Sequence, residues 1–123
     1  MSGSRMRRVD EAVRAVLSDV ITQELKDPRV GFVTVTGVKT SPDLRHARVF
    51  VSVLGDDEAR EASLVGLRSA HGFLQGRIAS DLRLKHTPTL DFVYDETIER
   101  ALRVDALLDE RSDAAGDDGA ASA

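Results

Sequence analysis

Leu64-Val65-Gly66-Leu67-Arg68-Ser69-Ala70-His71-Gly72-Phe73-Leu74-Gln75-Gly76-Arg77-Ile78-Ala79-Ser80-Asp81-Leu82 occupies the middle of the chain, and the architecture turns on whether it forms one helix or two. Leu64, Leu67, Phe73, Leu74, Ile78 and Leu82 form an apolar stripe at helical spacing within the longer stretch Glu58 to Leu84. That stretch is too long and too glycine-interrupted for one straight rod. Gly72 costs about 1 kcal/mol inside a helix relative to alanine. The reading is therefore a break at Ala70-His71-Gly72, with two helices sharing one core.

Outward from this pair, the pattern changes on both sides. Val9, Val13, Val16, Leu17, Val20 and Ile21 recur every three or four residues, which predicts a helix from about Arg7 to Lys26, stopped by Asp27-Pro28. Phe32 to Val38 is rich in β-branched residues, and Arg45 to Leu54 alternates with Ala47, Val49, Val51 and Val53 on one face. Thr40-Ser41-Pro42-Asp43 between them is turn chemistry, so the two strands read as an antiparallel pair with one face packed on helices. Beyond the central helices, Thr89 to Tyr94 reads as a third strand with Leu90, Phe92 and Tyr94 on one face, and Glu96 to Leu108 as a short terminal helix. A third strand reached across two helices must join by a crossover. The fold class is α+β: a three-stranded sheet with helices on one face, in a single domain over residues 1–108. Residues 109–123 have no bulky apolar anchor and read as a disordered acidic tail.

Composition narrows the function. The 123 residues contain no cysteine, which removes disulfides, thiolate metal sites and a cysteine nucleophile. No apolar run approaches the roughly 20 residues needed to span a bilayer, and the basic N-terminus leads straight into Val9-Asp10-Glu11 with no signal-like apolar stretch. These features point to a cytoplasmic protein with no membrane partner. The net charge of −4 resides in the tail, where five acids face one base, leaving 16 basic and 16 acidic side chains in residues 1–108. A neutral body can still present a basic face.

Catalysis finds no support. His46, His71 and His86 have no metal-ligand spacing, no serine sits in a nucleophile-elbow context, and no glycine-rich phosphate loop of the Walker or dinucleotide kind is present. The expectation is no enzyme, no metal and no cofactor. The helix break is the better candidate. Arg68, Arg77, Arg83 and Lys85 flank it against one acid, Asp81. A glycine at a helix junction admits a nucleic-acid backbone, and the helix that follows offers N–H groups to phosphate. Gly72 and Gly76 equally suit plain helix packing, and pattern alone does not separate the two readings. Aromatic platforms are sparse. Phe50 falls opposite the valine face and is expected to pack under the terminal helix rather than against a base.

Lys26-Asp27-Pro28-Arg29-Val30-Gly31 follows the first helix, then come Thr36-Gly37-Val38 with Ser41-Pro42-Asp43-Leu44, Ala70-His71-Gly72-Phe73-Leu74, and Pro88 to Asp95. As an ordered set these segments resemble the ribosome-binding factor A family, and the likeness covers roughly Arg5 to Leu108. The resemblance implies a type II KH-like fold in which a helix-kink-helix replaces the G-x-x-G loop, here a G-x-x-x-G spacing at Gly72 and Gly76. It implies a monomeric, non-enzymatic factor that binds immature 30S subunits and 16S rRNA, supports 5′-end processing and growth in the cold, and is absent from translating 70S ribosomes. The RNA-binding residues expected are Arg68, Ala70, His71, Gly72, Arg77, Arg83 and Lys85, with Arg5, Arg7 and Arg8 as a basic arm. Gln75 and Lys85 depart from the family pattern, which often has arginine at both places. A protein-interaction adaptor, recruited through a ribosomal protein or a GTPase, is the alternative.

Overall fold

A computed structural model describes residues 2–97 and 107. Helix α1 spans Ser2–Gln23, strand β1 Val33–Thr40, strand β2 His46–Val53, helix α2 Asp57–Ser69, helix α3 His71–Leu82 and strand β3 Thr89–Tyr94. Helix α1 starts earlier than the apolar stripe predicts, because Arg5 to Arg8 contains good helix formers and nothing that breaks a helix. It ends at Gln23, ahead of the expected Lys26. The N–H groups of Glu24 and Leu25 both donate to Val20 O at 2.9 Å, closing the last turn before Pro28. The expected terminal helix and the acidic tail lie outside the described residues, apart from Leu107, which is helical.

The sheet runs β1-β2-β3, with β1 antiparallel to β2 and β2 parallel to β3. The parallel pair is what a two-helix crossover delivers. Val35, Val49, Val51, Leu90 and Phe92 form the buried face and join Leu17, Val20, Leu67, Leu74 and Ile78 of the helices in one core. The other face carries exposed His46, Arg48, Thr89 and Asp91 and half-buried Phe50. A bulge at Thr36 shifts the β1 register, so Val35 faces Val51 whereas Gly37 faces Phe50. The inserted residue lets Val33 and Val35 before it, and Val38 and Thr40 after it, turn to the same core side.

Two polar locks hold α1 and the following loop. Asp10 Oδ1 accepts from Thr40 N at 2.9 Å and from Thr40 Oγ1 at 2.6 Å, with Thr40 buried. In the loop, Asp27 accepts from Arg29 N, Nε and Nη2, which holds its carboxyl down at about 2, chiefly through the guanidinium. Ser63 Oγ accepts from Gly31 N at 3.1 Å and donates to Arg29 O at 3.4 Å. Gly66 lies against the same loop: a Cβ there would stand 2.6 Å from Val30 Cγ2. The Lys26 to Gly31 segment is thus a seat for α2.

Candidate nucleic-acid interface

The break falls at Ala70, the first of the three residues where sequence reasoning places it; His71 and Gly72 already belong to α3. Helix α2 is capped at its start by Asp56, whose Oδ1 accepts from Ala59 N at 2.8 Å. Helix α3 begins one residue after α2 ends, with Ala70 at φ −88° and ψ 7° and no side chain capping it. The first N–H groups of a helix have no intrahelical acceptor, and here no side chain supplies one. Gly72 and Gly76 are both exposed, and a Cβ at either would meet nothing within 4 Å. Protein packing therefore does not require glycine at these positions. Together they leave a bare strip of backbone leading from an uncapped helix N-terminus, which suits a phosphate. His71 adjoins the strip. Its Nε2 is buried without a hydrogen-bond partner, an arrangement that typically costs about 1–3 kcal/mol.

The expected cations separate by what they touch. Arg68 donates an Nη2 hydrogen bond to Phe92 O at 3.2 Å and so ties α2 to β3. Arg77 forms an ion pair with Glu24 at the end of α1 and a second with Asp81 at 3.7 Å; the Glu24 hydrogen bond is the main cause of its raised pKa. Both arginines thus clamp elements together. Arg83 and Lys85 have no ion pair among the described residues and are exposed, Arg83 in the left-handed cap of α3 at φ 50°. Arg5, Arg7 and Arg8 are exposed on the first turns of α1, a part of the helix set apart from its Glu24–Arg77 end. Gln75 donates Nε2 hydrogen bonds to Thr87 O at 3.5 Å and Pro88 O at 3.1 Å, pinning the loop that carries Lys85 and His86.

Sequence reasoning missed Gly66 and Ser63, whose roles depend on a loop more than thirty residues away. It also passed over Arg45 and weighed His46 only as a metal ligand; with His86, Thr87 and Thr89 the two line a cleft of about 320 Å³ at the end of the sheet. Only the alternation of β2, which sends His46 and Arg48 to one face, hinted at it. Among the described residues no three His, Asp or Glu side chains are grouped to hold a metal, and no helix is long and apolar enough to cross a membrane.

A three-stranded α+β layer with a kinked helix pair in place of a G-x-x-G loop defines a type II KH-like domain. Comparison with known proteins gives the particular family. The family model described as ribosome-binding factor A matches residues 5–108. A ribosome-binding factor A from Geobacter metallireducens is 47% identical over 106 residues, covering 86% of this chain and 90% of that one. The crystal structure of ribosome-binding factor A from Thermus thermophilus superposes with a TM-score of 0.65 at 27% identity, over 72% of this chain and 94% of that one. A Thermus thermophilus ribosome binding factor A model, fitted into a cryo-EM map of a 30S complex, matches with a TM-score of 0.53 at 26% identity, over 68% of this chain and 92% of that one. The chain belongs to the ribosome-binding factor A family.

Proposed function

We propose that the chain acts without catalysis as a monomeric cytoplasmic assembly factor, binding immature 30S subunits through 16S rRNA and staying off translating 70S ribosomes. The observation that carries this reading is the backbone strip at Gly72 and Gly76, open to solvent beside the uncapped start of α3. The family relative fitted into a 30S complex map supports the small subunit as its partner. In this reading the α3 N-terminus and Gly72 receive a phosphate, Arg83 and Lys85 hold its neighbours, and His71 lies beside the contact. Ala70 sets the angle, while Arg68 and Arg77 position the two helices. Arg5, Arg7 and Arg8 form a separate basic arm. The protein occupies rRNA until it matures and then leaves, which supports 5′-end processing and matters most in the cold, where misfolded rRNA helices rearrange slowly.

Sedimentation of the tagged protein through sucrose gradients tests this. Comigration with free small subunits at low salt, lost at high salt and absent from translating ribosomes, is the expected result. Protein at the top of the gradient, even in cold-grown cells, would refute it. One observation favours the adaptor reading: Phe32 and Leu54 are 80% and 75% exposed and sit side by side, joined by the Leu54 N to Phe32 O hydrogen bond. An adaptor's complex survives nuclease treatment; an rRNA-held complex does not.

A further inference from the structure

We propose that the side of the sheet opposite α1, α2 and α3 is a second surface for single-stranded RNA, continuous with the kink around the end of the sheet. This rests on the rRNA-binding reading above and extends it to residues outside the helix pair. The end in question is where β1 finishes and β2 and β3 begin, since Thr40 faces Ala47 and His46 faces Thr89. Gln75 holds the Thr87-Pro88 loop to α3, so the kinked helix pair reaches this same end. The cleft lined by Arg45, His46 and His86 lies there and shares His46 and Thr89 with a larger groove of about 530 Å³. That groove runs along the sheet past Lys39, Arg48 and Asp91 to Phe50.

The chemistry of the groove favours an anionic strand. Lys39 and Arg48 face each other directly across β1 and β2, a like-charge pairing that sheets avoid. Neither side chain has a hydrogen bond or ion pair among the described residues. Asp91 faces Arg48 from β3 but forms no salt bridge with it, so it lowers the net charge without neutralising the guanidinium. A phosphate between Lys39 and Arg48 would relieve their repulsion. His46, Arg48 and Phe50 follow at every second position of β2, about 6.6 Å apart. The terminal helix expected to cover Phe50 lies outside the described residues, and among the described residues Phe50 is half-buried in this groove. There a splayed single strand following the row can turn a base or ribose toward it, whereas a stiff duplex presents mainly backbone.

The test is fluorescence anisotropy of the full chain with a labelled oligouridylate long enough to span both surfaces, over a range of salt. Lys39→Gln with Arg48→Gln should weaken binding about tenfold at low salt and flatten the log–log salt slope by about 1.4, two phosphates' worth. Its melting temperature should stay level or rise, because the substitution removes a repulsion. An unchanged affinity and slope in this variant, with Arg83→Gln and Lys85→Gln still weakening binding, would sink the sheet surface and leave the kink reading intact. Wild-type behaviour in both variants would remove both. Wild-type RNA binding in the sheet variant, with lost retention by RNA-free small-subunit proteins, would make the groove a protein surface and overturn the proposal.

Discussion

A methyl group added at Gly66 would come within 2.6 Å of Val30 Cγ2 and 3.3 Å of Arg29 Cβ, whereas one added at Gly72 or Gly76 would meet nothing within 4 Å. These glycines share a helix pair but answer to different demands. Gly66→Ala forces α2 off the Lys26 to Gly31 loop and should cost about 1–3 kcal/mol in thermal unfolding, as overpacking does. Gly76→Ala should instead raise the melting temperature, since alanine is favoured by up to about 1 kcal/mol in an exposed helix. The same substitution should weaken rRNA binding. A stabilised variant with full affinity would show that the bare backbone serves no ligand. The loop under Gly66 carries its own pH signature. Asp27 has its carboxyl held at about 2 by Arg29, below the usual carboxylate range, so the folded state binds this proton less readily than the unfolded chain. Its contribution is complete above about pH 4 and is lost as the pH falls toward 2. In urea unfolding, the midpoint should drop over that interval, and Asp27→Asn should lower it at neutral pH while making the acid drop shallower.

Elements were legible in the sequence where one apolar period runs unbroken, and less so where two elements fix each other. The stripe from Val9 to Ile21, the alternation from Ala47 to Val53 and the break at Ala70 all depend on local spacing, and each appears where that spacing places it. Strand β1 is different. Its phase changes at Thr36, because Thr36 Oγ1 bonds to Phe50 O at 3.2 Å and to Asp95 Oδ2 at 2.5 Å, partners on two other segments. The strand extends to Thr40 because Asp10 of α1 caps that end. Asp10 reads in sequence as an ordinary solvent-side residue of an amphipathic helix, so its role could not be seen there. The candidate cations divide in the same way. Arg83 and Lys85 are where local reading leaves them, while Arg68 and Arg77 acquire partners only once α2 meets β3 and α3 meets α1. Asp10→Ala would strand both the N–H and the hydroxyl of buried Thr40. A loss of about 2–3 kcal/mol is expected in denaturant unfolding, with α1 detaching from the sheet. A change under about 0.5 kcal/mol, the range of an ordinary surface substitution, would refute the lock.

Across the whole molecule, the balance of 16 basic and 16 acidic side chains in residues 1–108 conceals a division between paired and unpaired charge. Arg14, Arg29 and Arg77 each have a carboxylate partner, and Arg60 pairs with Asp57 while lying 3.9 Å from the Tyr94 ring centroid. Lys39, Arg48, Arg83 and Lys85 have none among the described residues. Arg48 begins near the end of the sheet toward which the α3–β3 loop carries Arg83 and Lys85, so a neutral body acquires a local positive field on that side. Counterion release depends on cations that can reach phosphate, and those already matched by carboxylates have less to offer. If these four unpaired side chains each neutralise one phosphate, log K for single-stranded rRNA should fall against log salt with a slope of about −3, at roughly −0.7 per contact. Arg83→Gln with Lys85→Gln should bring the slope to about −1.5 and leave the melting temperature in place. Arg77→Gln should do the reverse, lowering the melting temperature by releasing α1 from α3 while the slope stays near its wild-type value. Salt titrations of the two variants side by side decide the matter: equal losses of slope would mean that the Glu24–Arg77 pair opens to bind RNA and that paired and unpaired cations contribute alike.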